Sequence, residues 1–303
     1  HKTGTTFWQK NIFATSDVNL IDRAEVRANI LAFSPYSFSA KKLNDWLEPL
    51  LDIEKLNVIS EEELSGNTHT SGNGRSITYE TIERLSQITV AEVSILIFIR
   101  NQQNIIDSCY RQYIKRGGSF SFKNYIYSEN KGAERHRFPG FSFEHFKYDD
   151  VIEHCIKKFD KKRIIVKAYE DFVISKQDIV ADVSEELGEQ LIINQGSSNK
   201  LVNQSLSNFT ITLSRITNRL FNQDPISRNS ILGLNFLQPI LHRLYLLMDK
   251  ALPSKLINKP YISKELQLEI NQYYASSNSR TEKITGLDLT RLNYPKLEQS
   301  KRS

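Results

Sequence analysis

The stretch HKTGTTFWQ, residues 1–9, combines one lysine, one glycine and three threonines with the start of an apolar, helix-like run. Backbone N–H groups, hydroxyls and an ammonium gathered at the amino end of a helix form a site for a phosphate or a sulfate. A threonine-rich N-cap is also an ordinary way to begin a helix, so the stretch alone fits an anion cradle and a plain capped helix equally well. The residues that would hold the anion are Lys2, Thr3, Gly4, Thr5 and Thr6.

Length and composition indicate a globular protein. The 303 residues can bury a full core, as one large α/β domain or as one domain with a helical extension. Hydrophobic residues make up 39% and charged residues 25%, which excludes a disordered or fibrous chain. The net charge of +5 suits an anionic ligand but is too small and too dispersed for a nucleic-acid-binding surface. The two cysteines, Cys109 and Cys155, fit buried thiols and make neither a disulfide framework nor a metal-ligand cluster.

Apolar runs alternate with helical patterns along the chain, which is typical of a mostly parallel sheet with crossover helices. Residues 93–99 form the strongest strand pattern, apolar enough to be covered on both faces. Shorter strands are predicted at 56–60 and 163–168, and the pattern becomes mainly helical beyond about residue 197. The sequence predicts one α/β domain over residues 1–303, whose C-terminal part, about 197–303, is mainly helical. Helices are predicted around 43–51, 79–88, 104–114 and 178–187.

In an α/β nucleotide site the phosphate loop joins the first strand to the first helix. If residues 1–9 form such a loop, a strand should stand before residue 1 in the full protein. We therefore expect that an upstream segment supplies this strand.

A second group of polar residues begins where the strongest predicted strand ends. Arg100 follows Ile99 directly, and Ser108 lies eight residues later in the next predicted helix. Open α/β sheets bind ligands at the carboxyl ends of their strands, so Arg100 is placed for a second phosphate and Ser108 for a further hydrogen bond. Such residues also occur in loops that bind nothing. The combination with residues 2–6 is what favours a site.

Together the two motifs resemble the sulfotransferase family that uses 3′-phosphoadenosine 5′-phosphosulfate (PAPS). In that family a Lys-(Ser/Thr)-Gly-Thr-Thr loop holds the 5′-phosphosulfate, and an arginine and a serine with the spacing of Arg100 and Ser108 hold the 3′-phosphate. Residues 166–172 resemble the family's Tyr-Glu-Asp segment, which lies on a strand there. Residues 203–207 and 286–295 are similar to stretches of bacterial, carbohydrate-type members. His1 departs from the family, in which many members have proline.

The resemblance implies a three-layer, P-loop-like α/β fold and a metal-independent enzyme. Its implied reaction transfers the sulfuryl group of PAPS to a hydroxyl, or in second place an amine, of a saccharide or glycolipid. Lys2 would face the bridging oxygen that gains charge as the bond breaks. Tyr169 would lie near the adenine, with a core-filling aromatic as the alternative. The resemblance and the lack of an apolar run of about 20 residues favour a cytoplasmic enzyme of bacterial type, or else a luminal domain trimmed from its anchor.

Sulfuryl transfer also requires a general base on the acceptor side. Three adjacent glutamates, Glu61, Glu62 and Glu63, follow the strand predicted at 56–60. In sugar and tyrosine sulfotransferases a glutamate at the end of this strand commonly serves as the base, and the Ser-x-Glu-x-Leu pattern of bacterial relatives singles out Glu62. Glu61 and Glu63 remain alternatives, because crowding raises the pKa of one carboxyl in such a run. His69, in the next loop, is the competing base, and a solvated acidic run is the non-catalytic interpretation.

Two other classes of protein also have a nucleotide-binding α/β fold and are alternatives to a sulfotransferase. A P-loop kinase would need the order G-x-x-x-x-G-K-[ST], whereas Lys2 here precedes Gly4, and Arg100 stands where a magnesium-binding aspartate would follow the strand. A non-catalytic nucleotide-binding relative would not need the glutamate run. Four basic residues could contact an anionic or sugar acceptor, or could simply face solvent: Arg75, Arg111, Lys115 and Arg116.

Overall fold

Strands and helices follow one another along the chain in the order typical of an α/β protein. The computed structural model describes residues 2–32, 34–66, 74–128, 141–194, 206–221, 224–225, 231–251 and 261–296. The strands are β1 (Val18–Leu20), β2 (Leu56–Val58), β3 (Ile95–Ile99) and β4 (Ile164–Ala168). The helices are α1 (Thr5–Trp8), α2 (Arg23–Val26), α3 (Ala40–Leu47), α4 (Gly74–Leu85), α5 (Gln102–Lys115), α6 (Phe122–Ile126), α7 (Tyr148–Lys158), α8 (Tyr169–Ile174), α9 (Lys176–Leu187), α10 (Asn208–Phe221), α11 (Gln238–Ala251) and α12 (Lys264–Thr285).

Within the described residues the four strands form two parallel pairs. β1 pairs with β2, where Val18 lies opposite Leu56, and β3 pairs with β4, where Ile95 lies opposite Ile164. Parallel neighbours need a crossover connection, which α2 and α3 supply for the first pair and α5 to α7 for the second. The strands of each pair therefore end at the same edge, which places the residues after β3 beside those after β4.

Side chains of β3 alternate between two apolar clusters. Ile97 and Ile99 pack with buried residues of α5, α7 and α12, whereas Leu96 and Phe98 pack with those of α1 and α9. Because successive side chains of a strand point to opposite faces, helices cover both faces of this sheet. The α/β fold predicted from the sequence, with parallel strands between helical layers, is confirmed.

The helical C-terminal part contributes to the same core as the strands. Leu266, Ile270 and Tyr274 of α12 are buried in the cluster that contains Ile99. Asn278, fully buried on α12, accepts a hydrogen bond from the side chain of Gln102 at 2.7 Å. α12 is thereby tied to the first turn of α5. None of the helices in the described ranges is both long and apolar enough to cross a membrane.

The observed elements differ from the predicted ones in a few places. β1 was not predicted, because three residues are too few to show a period. α4 begins at Gly74, inside a stretch that reads as a loop. The Tyr-Glu-Asp segment is not part of a strand, since β4 ends at Ala168 and α8 begins at Tyr169. Two acidic residues in the first turn favour a helix there.

Candidate active site

The first residues of the chain form a tight loop that leads into α1. Lys2 has a φ of 60° and Gly4 a φ of 89°, so the backbone passes twice through the left-handed region. The amides of Phe7 and Trp8 donate to the carbonyl of Gly4 at 2.8 and 3.1 Å, which starts the helix at Thr5. The first amides of a helix have no acceptor within it, so those of α1 stay available to an anion in front of it.

Aromatic side chains fix the position of this loop. A Cβ atom on Gly4 would lie 3.4 Å from Phe172 and 3.5 Å from Tyr169, so the backbone runs directly against these two rings. Behind the loop, the centre of the buried Trp8 ring lies 5.2 Å from the centre of the Phe98 ring and 5.6 Å from the centre of the Phe172 ring. The loop therefore rests on β3 and α8, and its glycine suits both the positive φ and the close approach.

Arg100 connects the loop to the end of β3. Its Nη1 atom donates to the carbonyl of Lys2 at 2.8 Å, and its guanidinium lies 4.7 Å from the centre of the Tyr169 ring. The Tyr148 hydroxyl donates to the Arg100 carbonyl at 2.6 Å. The two motifs that the sequence presents 98 residues apart are thus in direct contact. Tyr169, a candidate for the adenine site, lies partly buried beneath Arg100 and against Gly4.

The first turn of α5 is held by a network that the sequence analysis missed. The side-chain oxygen of Asn101 caps the helix by accepting from the Gln103 amide at 3.0 Å. The Asn101 amide donates to Glu170 at 2.9 Å, and the Tyr294 hydroxyl donates to the other oxygen of Glu170 at 2.9 Å. An asparagine before a helix is a recognisable capping signal. Glu170 belongs to the Tyr-Glu-Asp segment noted in the sequence, but nothing local reveals its contacts, because its partners are distant in the sequence. The network fixes α5, on which Ser108 lies half-buried two turns along.

The ammonium of Lys2 lies among charged groups from other elements. Burial lowers the pKa of Lys2 below its ordinary value, the charge of Glu62 raises it, and the charges of Arg116 and Lys115 lower it. Glu62 is the first residue of a short 3₁₀ helix, Glu62–Ser65, that follows β2. We use the term crevice for the region of Lys2 and Arg100, which are in direct contact, together with Glu62, whose charge acts on Lys2. It combines two basic side chains and one carboxylate.

A side-chain contact ties the end of β2 to the loop helix. The Gln9 amide nitrogen donates to the carbonyl of Ser60 at 2.8 Å and to its hydroxyl at 3.2 Å. Gln9 lies one turn after Thr5, and Ser60 lies two residues before Glu62. This bridge keeps the glutamate run beside the loop. The competing base His69 lies outside the described residues, as does His1.

Glu61 has a structural environment that sets it apart from its neighbours. Its side chain is fully buried and pairs with Nε of Arg23 at 2.8 Å and Nε of Arg27 at 3.0 Å. It also accepts from the backbone amide of Glu63 at 3.2 Å. Burial alone would raise the pKa of Glu61, but the hydrogen bonds from Arg23 and Arg27 outweigh it, so the pKa lies below its ordinary value. A carboxylate held in this way is a poor proton acceptor, which favours Glu62 over Glu61 as the base.

We expect the substitution Glu61→Gln to lower the free energy of unfolding at pH 7 by about 1–3 kcal/mol, because a buried acceptor of two guanidiniums loses its charge. The folded pKa of Glu61 is depressed. Its contribution is therefore present above the unfolded pKa of about 4.3 and is lost as the pH falls through the folded value. Urea unfolding at several pH values measures both effects.

The matched control for this variant is Glu63→Gln, which should change stability by no more than about 0.5 kcal/mol. The difference in the free energy of unfolding between the wild type and Glu61→Gln should become smaller as the pH is lowered. A difference that stays constant down to pH 3 would contradict the assigned role of Glu61.

A separate cavity of about 660 Å³ opens on the other side of α5. Tyr110 lines it and lies two positions after Ser108 on α5, which is a rotation of about 200° around the helix axis. This cavity is therefore distinct from the crevice. Within the described part of the chain, no three His, Cys, Asp or Glu side chains come together as a metal-binding group.

Comparison with known proteins identifies a fold. The sequence matches no family model, and no curated protein matches it significantly. The structure is similar to that of a sulfotransferase from Alicyclobacillus acidocaldarius, with a TM-score of 0.56 over 96% of this chain and 94% of that chain. The two chains share a fold. At 14% sequence identity the similarity extends to the architecture and no further.

Proposed function

We propose that the protein is a sulfotransferase that transfers the sulfuryl group of PAPS to a hydroxyl of a saccharide or glycolipid. One observation carries the proposal: Arg100 donates to the carbonyl of Lys2, so both candidate anion-binding motifs border one crevice. The shared fold with a bacterial sulfotransferase supports it. So does Glu62, which follows β2 beside the loop and whose charge acts on Lys2.

The residues present fit a donor with two separate anionic groups. The amides at the start of α1, with the threonines of residues 3–6, would hold the 5′-phosphosulfate, and the positive φ of Gly4 lets the backbone present them. Arg100 would hold the 3′-phosphate, with Ser108 as a further donor. PAPS, when bound, supplies the sulfuryl group and leaves as the 3′,5′-bisphosphate.

Two side chains would carry out the proton transfer and the charge neutralisation that the reaction requires. In an in-line displacement the acceptor oxygen forms a bond to sulfur while the bond from sulfur to the bridging phosphate oxygen breaks. Glu62 takes the proton of the acceptor hydroxyl, because it lies in the segment that Gln9 holds beside the loop and its charge acts on Lys2. The Lys2 ammonium neutralises the charge on the departing oxygen. Partial burial lowers the pKa of Lys2, which makes the ammonium a better hydrogen-bond donor to that oxygen.

A thermal-shift measurement with nucleotides tests the function. We expect 3′-phosphoadenosine 5′-phosphate at about 100 times its Kd to stabilise the protein by about 2.7 kcal/mol, visible as a rise in Tm of several degrees. ATP with magnesium should give a much smaller shift, because the crevice lacks an aspartate after β3 and has Arg100 there instead.

The alternatives make different predictions in the same measurement. A P-loop kinase would respond to ATP with magnesium and not to the bisphosphate. A non-catalytic relative would bind the bisphosphate but would not sulfate any acceptor when given labelled PAPS with a panel of glycans, glycolipids and phenols.

A further inference from the structure

The helices α10 and α11 pack against each other and against the core. The hydroxyls of Thr217 and Tyr245 are hydrogen-bonded to each other across the helix pair. Ile211 of α10 and Tyr245 of α11 are buried in the cluster that contains Ile99. One side of each helix is therefore covered by the core and by the neighbouring helix, as in an ordinary amphipathic helix.

The other side of each helix is apolar as well, but it is open to solvent. In α11, three exposed aliphatic side chains recur at a spacing of three and four residues, and an exposed phenylalanine lies one turn before them. In α10, two exposed aliphatic side chains lie four residues apart. We call these six side chains, which are 38% to 70% exposed, the outer face: Ile216, Leu220, Phe236, Ile240, Leu244 and Leu247.

The chain between the two helices extends this apolar surface. The amide of Leu232 donates to the carbonyl of Leu220 at 2.8 Å, which holds Leu232 against the end of α10. Ile231 and Leu232 are both exposed. Phe236 lies in the short helix Asn235–Leu237 that leads into α11. Because monomeric proteins rarely expose contiguous apolar patches larger than a few hundred Å², we expect a partner to cover the outer face.

The charges beside the outer face have one sign. Residues 206–251 contain five basic and two acidic residues. Among the described residues of this range, the exposed charged side chains are all basic, namely Arg219, Arg243 and Lys250. The two acidic side chains are engaged within the protein: Asp224 is fully buried, and Asp249 accepts from the amide of Ser207 at 2.8 Å. The surface therefore combines exposed apolar groups with positive charge.

We propose that the outer face binds the surface of a lipid membrane with anionic headgroups. Apolar side chains on one side of a helix enter the boundary between headgroups and acyl chains, and basic side chains beside them attract anionic headgroups. Leu244 and Leu247 supply the first kind of group on α11, and Arg243 and Lys250 supply the second on the same helix.

A second copy of this chain fits the outer face less well than a membrane does. In a two-fold symmetric dimer the same patch of each copy faces the other. Such a pairing would bring Arg219, Arg243 and Lys250 of both copies together, and like charges repel each other. An anionic membrane instead complements these charges.

Co-sedimentation of the full chain with lipid vesicles tests the proposal. Vesicles of phosphatidylcholine, which has no net charge, are compared with vesicles of phosphatidylcholine mixed with anionic phosphatidylglycerol. We expect binding to the anionic vesicles to be tighter by at least about tenfold, and this preference should weaken as salt is added, because salt screens the headgroup charges. The measurement needs no nucleotide, so its outcome is independent of the proposed function.

The double variant Leu244→Gln/Leu247→Gln removes apolar groups from the outer face and keeps its charges. It should bind the anionic vesicles at least about tenfold more weakly than the wild type, because two side chains no longer gain from leaving water. Its matched control is Ile53→Gln/Leu268→Gln, which changes two exposed apolar residues elsewhere and should bind like the wild type.

The double variant Arg243→Gln/Lys250→Gln removes charges and keeps the apolar groups. It should lose most of the preference for anionic over neutral vesicles. The matched control is Lys161→Gln/Lys162→Gln, an exposed basic pair in the short helix Lys161–Arg163 before β4, and this control should keep the preference. Circular dichroism checks that each variant is folded, and the single variants Leu247→Gln and Lys250→Gln replace a double variant that is not.

Equal binding of the wild type to both kinds of vesicle, or binding to neither, overturns the proposal. So does unchanged vesicle binding of the Leu244/Leu247 variant, or an unchanged preference of the Arg243/Lys250 variant. Light scattering identifies the other occupant: a wild-type dimer that the Leu244/Leu247 variant does not form, without vesicle binding, would make the outer face an interface between copies of this chain.

Discussion

The variant Glu62→Gln is expected to lose turnover by about 10²–10⁴-fold while it binds 3′-phosphoadenosine 5′-phosphate as tightly as the wild type. Glutamine keeps the size and hydrogen-bonding oxygen of the side chain but cannot accept a proton from the acceptor hydroxyl. The residue lies in the segment after β2, which the contact of Gln9 with Ser60 fixes beside the loop, so the backbone should not move. Labelled PAPS measures the turnover, and calorimetry measures the affinity for the bisphosphate.

Glu63→Gln is the matched control, because Glu63 is next in the chain and has the same side chain. It should retain most of the activity. Nearly full activity of Glu62→Gln would place the base elsewhere, with Glu63 as the first alternative and His69 as the next. A parallel loss of bisphosphate affinity would show that Glu62 acts through the fold of the crevice and not as the base.

The variant Arg100→Ala is expected to weaken the binding of 3′-phosphoadenosine 5′-phosphate by about 10- to 100-fold, which corresponds to a charge-assisted hydrogen bond of about 1.5–3 kcal/mol. The affinity for adenosine 5′-phosphate, which lacks the 3′-phosphate, should fall much less in the same variant. The comparison matters because Arg100 also donates to the carbonyl of Lys2 and lies over the Tyr169 ring. Loss of those contacts alone would weaken both nucleotides alike.

Arg163→Ala controls for the removal of an arginine from the sheet region. Arg163 stands before β4, at the amino end of the strand, where it pairs with Glu92 at 2.5 Å. This variant should bind both nucleotides like the wild type. If Arg100→Ala leaves the discrimination between the two nucleotides intact, Arg100 does not bind the 3′-phosphate.

Local patterns in the sequence are enough to predict much of the fold. The apolar run that becomes β3 predicts a strand covered on both sides, and its side chains do alternate between two buried clusters. Strands and helices long enough to show a period are found near their predicted positions. Short elements escape this kind of prediction: β1 has three residues, and tertiary packing decides the six residues of α8.

The glutamate run shows what only the tertiary structure decides. Glu61, Glu62 and Glu63 are the same residue type, and the sequence favours Glu62 only through a resemblance. A physical reason to choose between them needs the residues that fold against each. Arg23 and Arg27, more than 30 residues earlier in the sequence, form ion pairs with Glu61. Glu62 is instead the glutamate whose charge acts on Lys2. No signal within the run identifies these partners.

The sequence by itself determined the motifs: a loop rich in threonine with one glycine, an arginine directly after an apolar strand, and a serine on the following helix. These depend on spacing within a few turns of chain, where backbone geometry fixes which side chains can act together. The tertiary structure decided that the loop and Arg100 meet, and that Glu170 holds the start of α5 in place. Those contacts join residues many positions apart, and they form because burial of the shared apolar clusters brings the ends of the strands together.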